Sequence, residues 1–582
     1  MNTKTPKFDA LLDKVFETLI PHKRKCIWMG EHKHCEGEFE IMEGDIEFLK
    51  MLRVPPPNYC PTCRRIRRFA HMNPLKLFKR SCDAPSHSES IISIFSEECP
   101  ISVFDYEYFI SDKFNPFSYG RKYDKNESPF QILLSMRKEF PVPSFLNKDS
   151  SSVNSEYSNG GRNVKNGYLA MSCYQSENIW YSNFIIKSKD VMEGREIENS
   201  DHLYKGLYSD HIYRSLFIYF SKECTDSMFL FDCRNCDNCF GCVNLRGAKH
   251  CVWNKQLSKE EYEKFIKSVY PLGRHTLAEY EKKFWNLVKT LPINAPRNVT
   301  VDNVKGVLLK NVRNVYDVTD SADSERVRHS NGCFSHQDSM DVLYSGNHSS
   351  LLYSTTNVGG QSSKVKFSIH NKLSTDSEFI FNCKDVHNCF MCFGLQNKSY
   401  CVLNIQYSKE EYFPLVDSIK TQMLERGEYG DGLGLDISAQ AYNFSIGQIT
   451  FPLEGGEILK LGGYIAKEPE TNAGNVKILS HDEVPQTIEE VSDDIVNHAI
   501  KCEVTGKPFR IISSELQFLR KMKMPLPTQH PFIRMQSSFL FVPVGKKYDA
   551  SCAKCQKSID SVFDPKNKFI LYCEDCHKQE VY

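Results

Sequence analysis

SENIWYSNFIIK (176–187), SKDVMEGREIEN (188–199), SDHLYKGLYSDH (200–211) and IYRSLFIYFSKE (212–223) are consecutive stretches of twelve residues, and each repeats the pattern of the one before. The register runs without a gap from Ser152 to Cys251. One column steps through Ser155, Gly167, Ile179, Val191, Leu203, Ser215, Ser227, Cys239 and Cys251. The place before it holds Asn154, Asn166, Asn178, Asp190, His202, Arg214, Asp226, Asn238 and His250. The place after it is mostly large, as at Tyr168, Trp180, Tyr204, Met228 and Phe240. A third column runs Ser152, Val164, Ser176, Ser188, Ser200, Ile212, Cys224, Cys236, Ala248. A fixed short period means stacked units. Twelve residues are too few for a helix pair. They suit one turn of a narrow β-solenoid, or half a turn of a broader one, with each position about 4.8 Å above its counterpart. Small residues fit a thin interior, and Asn and Asp tolerate corner conformations. A chance run of Ser and Cys in a loop-rich domain would not hold this register.

The pattern recurs 150 residues on. Cys233, Cys239, Cys242, Cys251, Asn254, Ser258 and Tyr262 are answered by Cys383, Cys389, Cys392, Cys401, Asn404, Ser408 and Tyr412. Upstream, Val315, Val327, Ser339 and Leu351 keep the twelve-residue step, and a two-residue slip precedes Ser377, Cys389 and Cys401. Each block ends in SKEEY, a capping-box signature that predicts a helix, with a second helix around Leu277 to Leu291. Capped ends answer the exposed-edge problem of stacked strands.

The fold expected is therefore multidomain and β-rich: two β-solenoid blocks, helical caps, and duplicated zinc-ribbon-like modules at both ends. The divisions are an N-terminal zinc module (1–130), a first solenoid block (131–257), a cap (258–300), a second block (301–407), a cap (408–430), a mixed linker (431–490) and a C-terminal zinc-ribbon module (491–582). PVPSFLNKDSSSVN, 141–154, reads as a lead-in loop.

The two end modules align with a shift of 470 residues. Phe39, Phe48, Pro55 and Cys82 fall on Phe509, Phe518, Pro525 and Cys552. Their cysteine sites differ. Cys26, Cys35, Cys60 and Cys63 form a plausible tetrahedral thiolate site in the first module, with His32 and His34 as possible substitutes. Cys60 and Cys63 fall on His530 and Ile533, so this site is absent from the C-terminal copy. Cys552, Cys555, Cys573 and Cys576, two CxxC pairs seventeen residues apart, have the spacing of a zinc ribbon. Four cysteines complete a tetrahedron and leave no position for water, so a structural zinc ion is expected at each site, two per chain.

After Cys63 comes RRIRRFAHMNPLKLFKR. Arg64, Arg65, Arg67, Arg68, Lys79 and Arg80, with Phe69 and Phe78 interleaved, could grip the phosphates and bases of a nucleic acid. Arg520, Lys521 and Lys523 would contribute from the other end. The alternative is a solvated basic helix beside the thiolates.

The chain has 582 residues, 73 basic and 73 acidic, so overall charge points to no partner. MNTKTPKFDALLDKVFETLI reads as an amphipathic helix, not as a signal peptide, and no segment approaches eighteen apolar residues. Twenty-three cysteines in such a chain read as metal ligands and buried thiols, and a cytoplasmic setting without membrane contact is expected.

PPPNYCPTCRRIRR, NCFGCVNLR with SKEEY, CEVTGKPFRII and LYCEDCHKQEVY resemble a family of large, cysteine-rich zinc-ribbon proteins of unknown function in candidate-phylum bacteria. The resemblance covers nearly the whole chain. It implies architecture and not activity, and relative to it cysteines are missing at Pro85, Asp105 and Tyr108.

No GxSxG, Walker, dinucleotide or HExxH motif is present. The reading that follows is a non-enzymatic zinc-binding scaffold or adaptor with a nucleic-acid or protein partner. One alternative is a polysaccharide-acting enzyme using Asp190, Asp226 or Asp376, although these sit in the corner column. The other is an iron–sulfur or redox protein built on Cys233, Cys236, Cys239 and Cys242, against which stands Val386 in the second copy.

Overall fold

The backbone turns at every third residue. In a computed structural model describing residues 4–85, 87, 89–146, 151–469 and 474–581, positive φ angles fall on Asn166, Leu169, Ser172, Gln175, Asn178, Tyr181, Phe184, Lys187 and Asp190, and the series continues to Trp253. Left-handed backbone is costly for L-residues and least so for Asn and Asp, which explains their column. Four such corners fall in each twelve-residue repeat. Between corners one side chain points inward, and Val164, Ile179, Ile185, Val191, Ile197 and Leu203 build a closed apolar core. Neighbouring repeats pair in parallel at a step of twelve: Ile179 with Val191, Val191 with Leu203, Cys239 with Cys251. A sheet of ten strands results, and the second block forms one of eleven.

Inward serines are working parts of this stack. Ser188 Oγ donates to Ile186 O (2.8 Å) and accepts from Ser200 N (3.1 Å). Ser200 Oγ does the same with Glu198 O (2.7 Å) and Ile212 N (3.0 Å). Each hydroxyl thus ties its own repeat to the next and satisfies a buried N–H. Cysteines take the same seats: Cys233 Sγ donates to Cys242 O (3.4 Å), and Cys242 Sγ to Phe240 O (3.4 Å). Outside, Asn154, Asn166, Asn178 and Asp190 form a ladder of side-chain hydrogen bonds, each 2.6–3.1 Å long.

The second stack departs from the expected step. Met340 pairs with Tyr353 and Tyr353 with Lys366, two advances of thirteen, before Val365 pairs with Ser377 at twelve. The slip is therefore two separate insertions, near the left-handed pair Asn347 and His348 and near Gly360 and Gln361. Leu352 and not Leu351 fills the interior column, and Leu351 is a corner with φ 55°.

Both stacks close alike. Asn254 pairs with Val243 N and O (2.8 and 3.0 Å), and Asn404 with Phe393 N and O (2.8 and 2.9 Å), each carboxamide replacing the strand that would come next. Ser258 with Glu261, and Ser408 with Glu411, then cap the helices Lys259–Val269 and Lys409–Glu425. A further helix, Arg274–Lys289, follows the first cap. The N-terminal helix spans Pro6–Glu17. Among the described residues no helix is long and apolar enough to cross a membrane. Of the lead-in loop, residues 147–150 lie outside the described residues.

The end modules repeat each other and dock crosswise. Helix Pro61–Phe69 and the hairpin Phe78–Ser81 with Ser90–Ser93 recur as helix Pro531–Phe541 and the hairpin Tyr548–Ser551 with Ser558–Ser561. Arg64 pairs with Asp341 (2.8 Å), and its counterpart Arg534 pairs with Glu193 (2.6 Å). Asp45 meets His329 (3.2 Å), and its counterpart Glu515 meets Tyr181 (2.6 Å). The N-terminal module thus sits on the second stack and the C-terminal module on the first. Within the stretch expected as a mixed linker, Ser438 and Thr450 pack between the modules: Ser438 Oγ donates to Ala70 O (2.9 Å) and Thr450 Oγ1 to Val544 O (3.2 Å).

Asn404→Ala leaves a buried N–H and C=O at the end of the second stack without partners. A loss of about 2 kcal/mol or more is expected, read as a shift in the denaturation midpoint, with Asn254→Ala showing a similar loss.

Candidate metal centres

Cys26, Cys35, Cys60 and Cys63 bring their four sulfurs within 4.8 Å of one another, and so do Cys552, Cys555, Cys573 and Cys576. Either group could hold a metal ion. In the first, Cys60 is the N-cap of helix Pro61–Phe69 and its sulfur accepts from Cys63 N (3.4 Å). Cys60 N donates to Cys26 Sγ (3.3 Å) and Gly37 N to Cys35 Sγ (3.4 Å). Backbone donors and a helix N-terminus favour thiolates, the ligating form of cysteine. Hydrogen bonds from the Cys60 and Cys63 thiols pull Cys26 down to about 2, and the contact with Cys26 pushes Cys60 up to about 12. His32 is not one of the four: its Nε2 lies 3.3 Å from Cys63 Sγ, as an outer partner to a ligand. His34 points elsewhere, to Pro452 O (3.0 Å).

In the second group Cys552, Cys573 and Cys576 are buried and Cys555 is exposed. Cys576 N donates to Cys573 Sγ (3.5 Å) at the start of helix Glu574–Val581. Burial opposes ionisation of Cys552, but backbone N–H groups of Cys555, Cys573 and Lys554 bring it down to about 6.

Each module also keeps a remnant of the other's site. His530 N donates to Cys502 Sγ (3.2 Å) as Cys60 N does to Cys26 Sγ. Asp105 N donates to Cys82 Sγ (3.1 Å), and after a two-residue gap in the alignment Asp105 falls on Cys573 of the second four-cysteine group. A single cysteine remains at either remnant, too few for a tetrahedral thiolate site.

The basic run is neither a phosphate-gripping surface nor a solvated helix. Arg64, Arg65, Arg67, Arg68 and Arg80 are all buried, as are Phe69 and Phe78. Arg64 and Arg68 share Asp341 (2.8 Å each), Arg65 holds Asp317 (2.5 Å), and Arg67 lies over the Tyr59 ring (4.1 Å) and donates to Gly432 O. Arg80 pairs with Asp83 (2.7 Å). Lys79 alone of the six is exposed. At the other end Arg520 pairs with Asp493 (2.5 Å), Lys521 with Asp190 (2.9 Å), and Lys523 lies over Tyr270 (5.7 Å). Arg64, Arg65 and Arg68 serve the second stack, whose acidic corners could not be matched to them from a linear pattern. One sign was available: Asp317, His329 and Asp341 stand twelve apart in a single corner column.

His329 is buried between Asp317 (2.8 Å) and Asp45 (3.2 Å). Burial opposes its charge, but the two carboxylates outweigh burial and raise its pKa. Burial likewise opposes ionisation of Asp45 and Asp317, and the contacts with His329 and with Arg328 or Arg65 lower both.

The iron–sulfur ladder does not gather in this way. Among the described residues a third ligand-like group lies within 4.8 Å, Asp190, Asp201 and His202, and Cys233, Cys236, Cys239 and Cys242 form none. That third group is internally paired, His202 to Asp190 (3.0 Å) and to Asp201 (2.5 Å), with Lys521 on Asp190. Asp190, Asp226 and Asp376 are corners, with φ 51°, 47° and 48°. No family model matches the chain, and no curated protein matches it.

Two outcomes follow. Cys63→Ser and Cys573→Ser are each expected to lower bound metal by one ion per chain in elemental analysis, and Cys82→Ser to leave it unchanged. Charged His329 adds stability that is complete below its unfolded pKa near 6.5 and fades as pH rises through its raised folded value. Thermal midpoints measured from pH 5 to 9 should therefore fall toward high pH, and His329→Gln should flatten that slope.

Proposed function

We propose that this protein is a non-enzymatic scaffold that binds two structural zinc ions and presents partners along two β-solenoids of twelve-residue turns. The observation that carries the reading is the pair of closed four-cysteine groups. Soft thiolates in a tetrahedron suit zinc, and four protein ligands leave no site for substrate or water. The solenoid reading is supported by the parallel step of twelve and the corner at every third residue. The zinc-ribbon reading of the ends fits the paired CxxC turns, the hairpin between them and the resemblance to zinc-ribbon proteins.

The partner we favour is a protein. Nucleic acid is disfavoured because Arg64, Arg65 and Arg68 are committed to Asp317 and Asp341, Arg67 to the Tyr59 ring and Gly432 O, and Arg80 to Asp83. A cytoplasmic setting belongs to the same proposal, since both metal groups and the interior thiols need a reducing compartment.

Metal analysis of protein purified without added metal tests the reading. About two zinc per chain in a colourless sample is the expected result. Iron with visible absorbance would replace it with a redox function, and a folded protein retaining no metal after dialysis would remove the scaffold's anchor points.

A further inference from the structure

On one half of the molecule the chain fills a groove with its own residues, and on the other half the matching groove lies open. After helix Lys409–Glu425 the segment 430–440, GDGLGLDISAQ, runs between the second stack and the N-terminal module. Its backbone is held throughout. Tyr353 Oη donates to Gly430 O (3.0 Å), Arg67 to Gly432 O, Arg137 Nε to Ile437 O (3.0 Å) and Cys99 Sγ to Ala439 O (3.4 Å). Leu433, Leu435, Ile437 and Ala439 are all buried against their surroundings, with a single 3-10 turn at Leu435–Ile437 and Asp436 as the exposed residue among 433–440. A Cβ on Gly432 would stand 1.9 Å from Ser354 Oγ, so the seat beside the stack needs glycine.

The crossed duplication locates the matching seat. Met192 pairs with Tyr204 as Met340 pairs with Tyr353, so Lys205 stands where Ser354 does. The 470-residue shift puts Ser537, Leu540 and Phe541 at the places of Arg67, Ala70 and His71. Val562 N donates to Ala295 O as Ile94 N does to Ser144 O, which puts Asn567 at the place of Cys99. Lys205, Ser537, Phe541 and Asn567 line one open cavity of about 370 Å³, with Trp285 and Lys289 of helix Arg274–Lys289. Leu540 beside it is 57% exposed, whereas Ala70 under the segment is 1% exposed.

The open groove has its own chemistry. Its walls are aromatic, from Tyr219, Trp285, Phe541 and Phe569. Two ion pairs inside it are closed, Lys205 with Glu281 (2.8 Å) and Arg534 with Glu193 (2.6 Å). Lys289 and Lys566 remain as unbalanced exposed charges on its lining. The segment that fills the other groove carries Asp431 and Asp436. We propose that the open groove docks a glycine-containing, acidic segment of a partner protein that buries several aliphatic side chains, as Gly430–Gln440 does in the filled one. The inference rests on the scaffold reading for the nature of the partner and supplies the surface that reading lacks.

The probe is a fluorescein-labelled peptide of sequence GDGLGLDISAQ, titrated with the full-length, metal-loaded chain and followed by anisotropy. Saturable one-to-one binding is expected. Lys289→Glu with Lys566→Glu should weaken it at least tenfold, and Ser537→Trp, which plugs the groove from an exposed position, should abolish it. A peptide with aspartate in place of both leucines should not bind. Absence of saturable binding, or binding that both variants leave unchanged, overturns the proposal. So does a concentration-dependent dimer that Ser537→Trp dissolves, because it would assign the groove to a second copy of the chain. Bound metal is measured on every variant: lost binding with metal retained isolates the groove, whereas lost metal bears on the scaffold reading instead.

Discussion

A left-handed corner at every third residue is the constraint on which both stacks depend. It shortens each side to three residues, so each side sends one side chain inward. The interior is then narrow, and it admits aliphatic, serine, cysteine and glycine side chains. Left-handed backbone at so many non-glycine residues carries a steric cost at each one. Parallel pairing along the stack and the inward hydroxyls hold the chain in that path. A serine in this setting bridges two repeats and removes a buried unpaired N–H, so its small size and its hydrogen-bonding capacity are both used. The cysteine ladder follows from the same geometry. Thiols seated like the serines donate to the same carbonyl positions, which accounts for eleven of the twenty-three cysteines without a cofactor.

The crossed docking explains where the charges went. Each module meets a stack through an arginine at the start of a helix and a carboxylate at a stack corner, Arg64 on Asp341 and Arg534 on Glu193. Ion pairs buried this deeply are strongly coupled to the fold, because removing one member strands the other without water. They fix which module sits on which stack. The seam around Asp45, His329 and Asp317 extends the same logic to a histidine whose charge depends on two carboxylates from different parts of the chain. The metal groups lie beside these seams: Cys60 and Cys63 open the helix whose next residue is Arg64. A bound ion would therefore stiffen the element that docks the module, coupling metal to the assembly of the whole chain.

The two halves are alike in frame and unlike in filling. One groove is closed by the chain itself, and the other keeps aromatic walls and spare lysines. The candidate metal groups show the same division, with four seats in two modules and full cysteine sets at two of them.

The amino-acid sequence alone determined the period, the duplication, the capped ends and the eight cysteines that gather in two groups able to hold a metal ion. These are local or strictly periodic signals: CxxC turns, SKEEY boxes and a twelve-residue step are legible because each depends on residues close in the chain or repeated along it. The triplet corner was hidden within the twelve-residue step, since three corners in four are occupied by residues of every kind, from Leu169 to Lys187. Only the tertiary structure decided the role of Arg64, Arg65, Arg67 and Arg68. A run of cations reads the same whether it faces water or aspartates brought in from 250 to 280 residues away. The same holds for segment 430–440, whose glycines and leucines acquire meaning from the groove they fill, and for its open counterpart. Long-range burial, and not composition, assigns these parts their work.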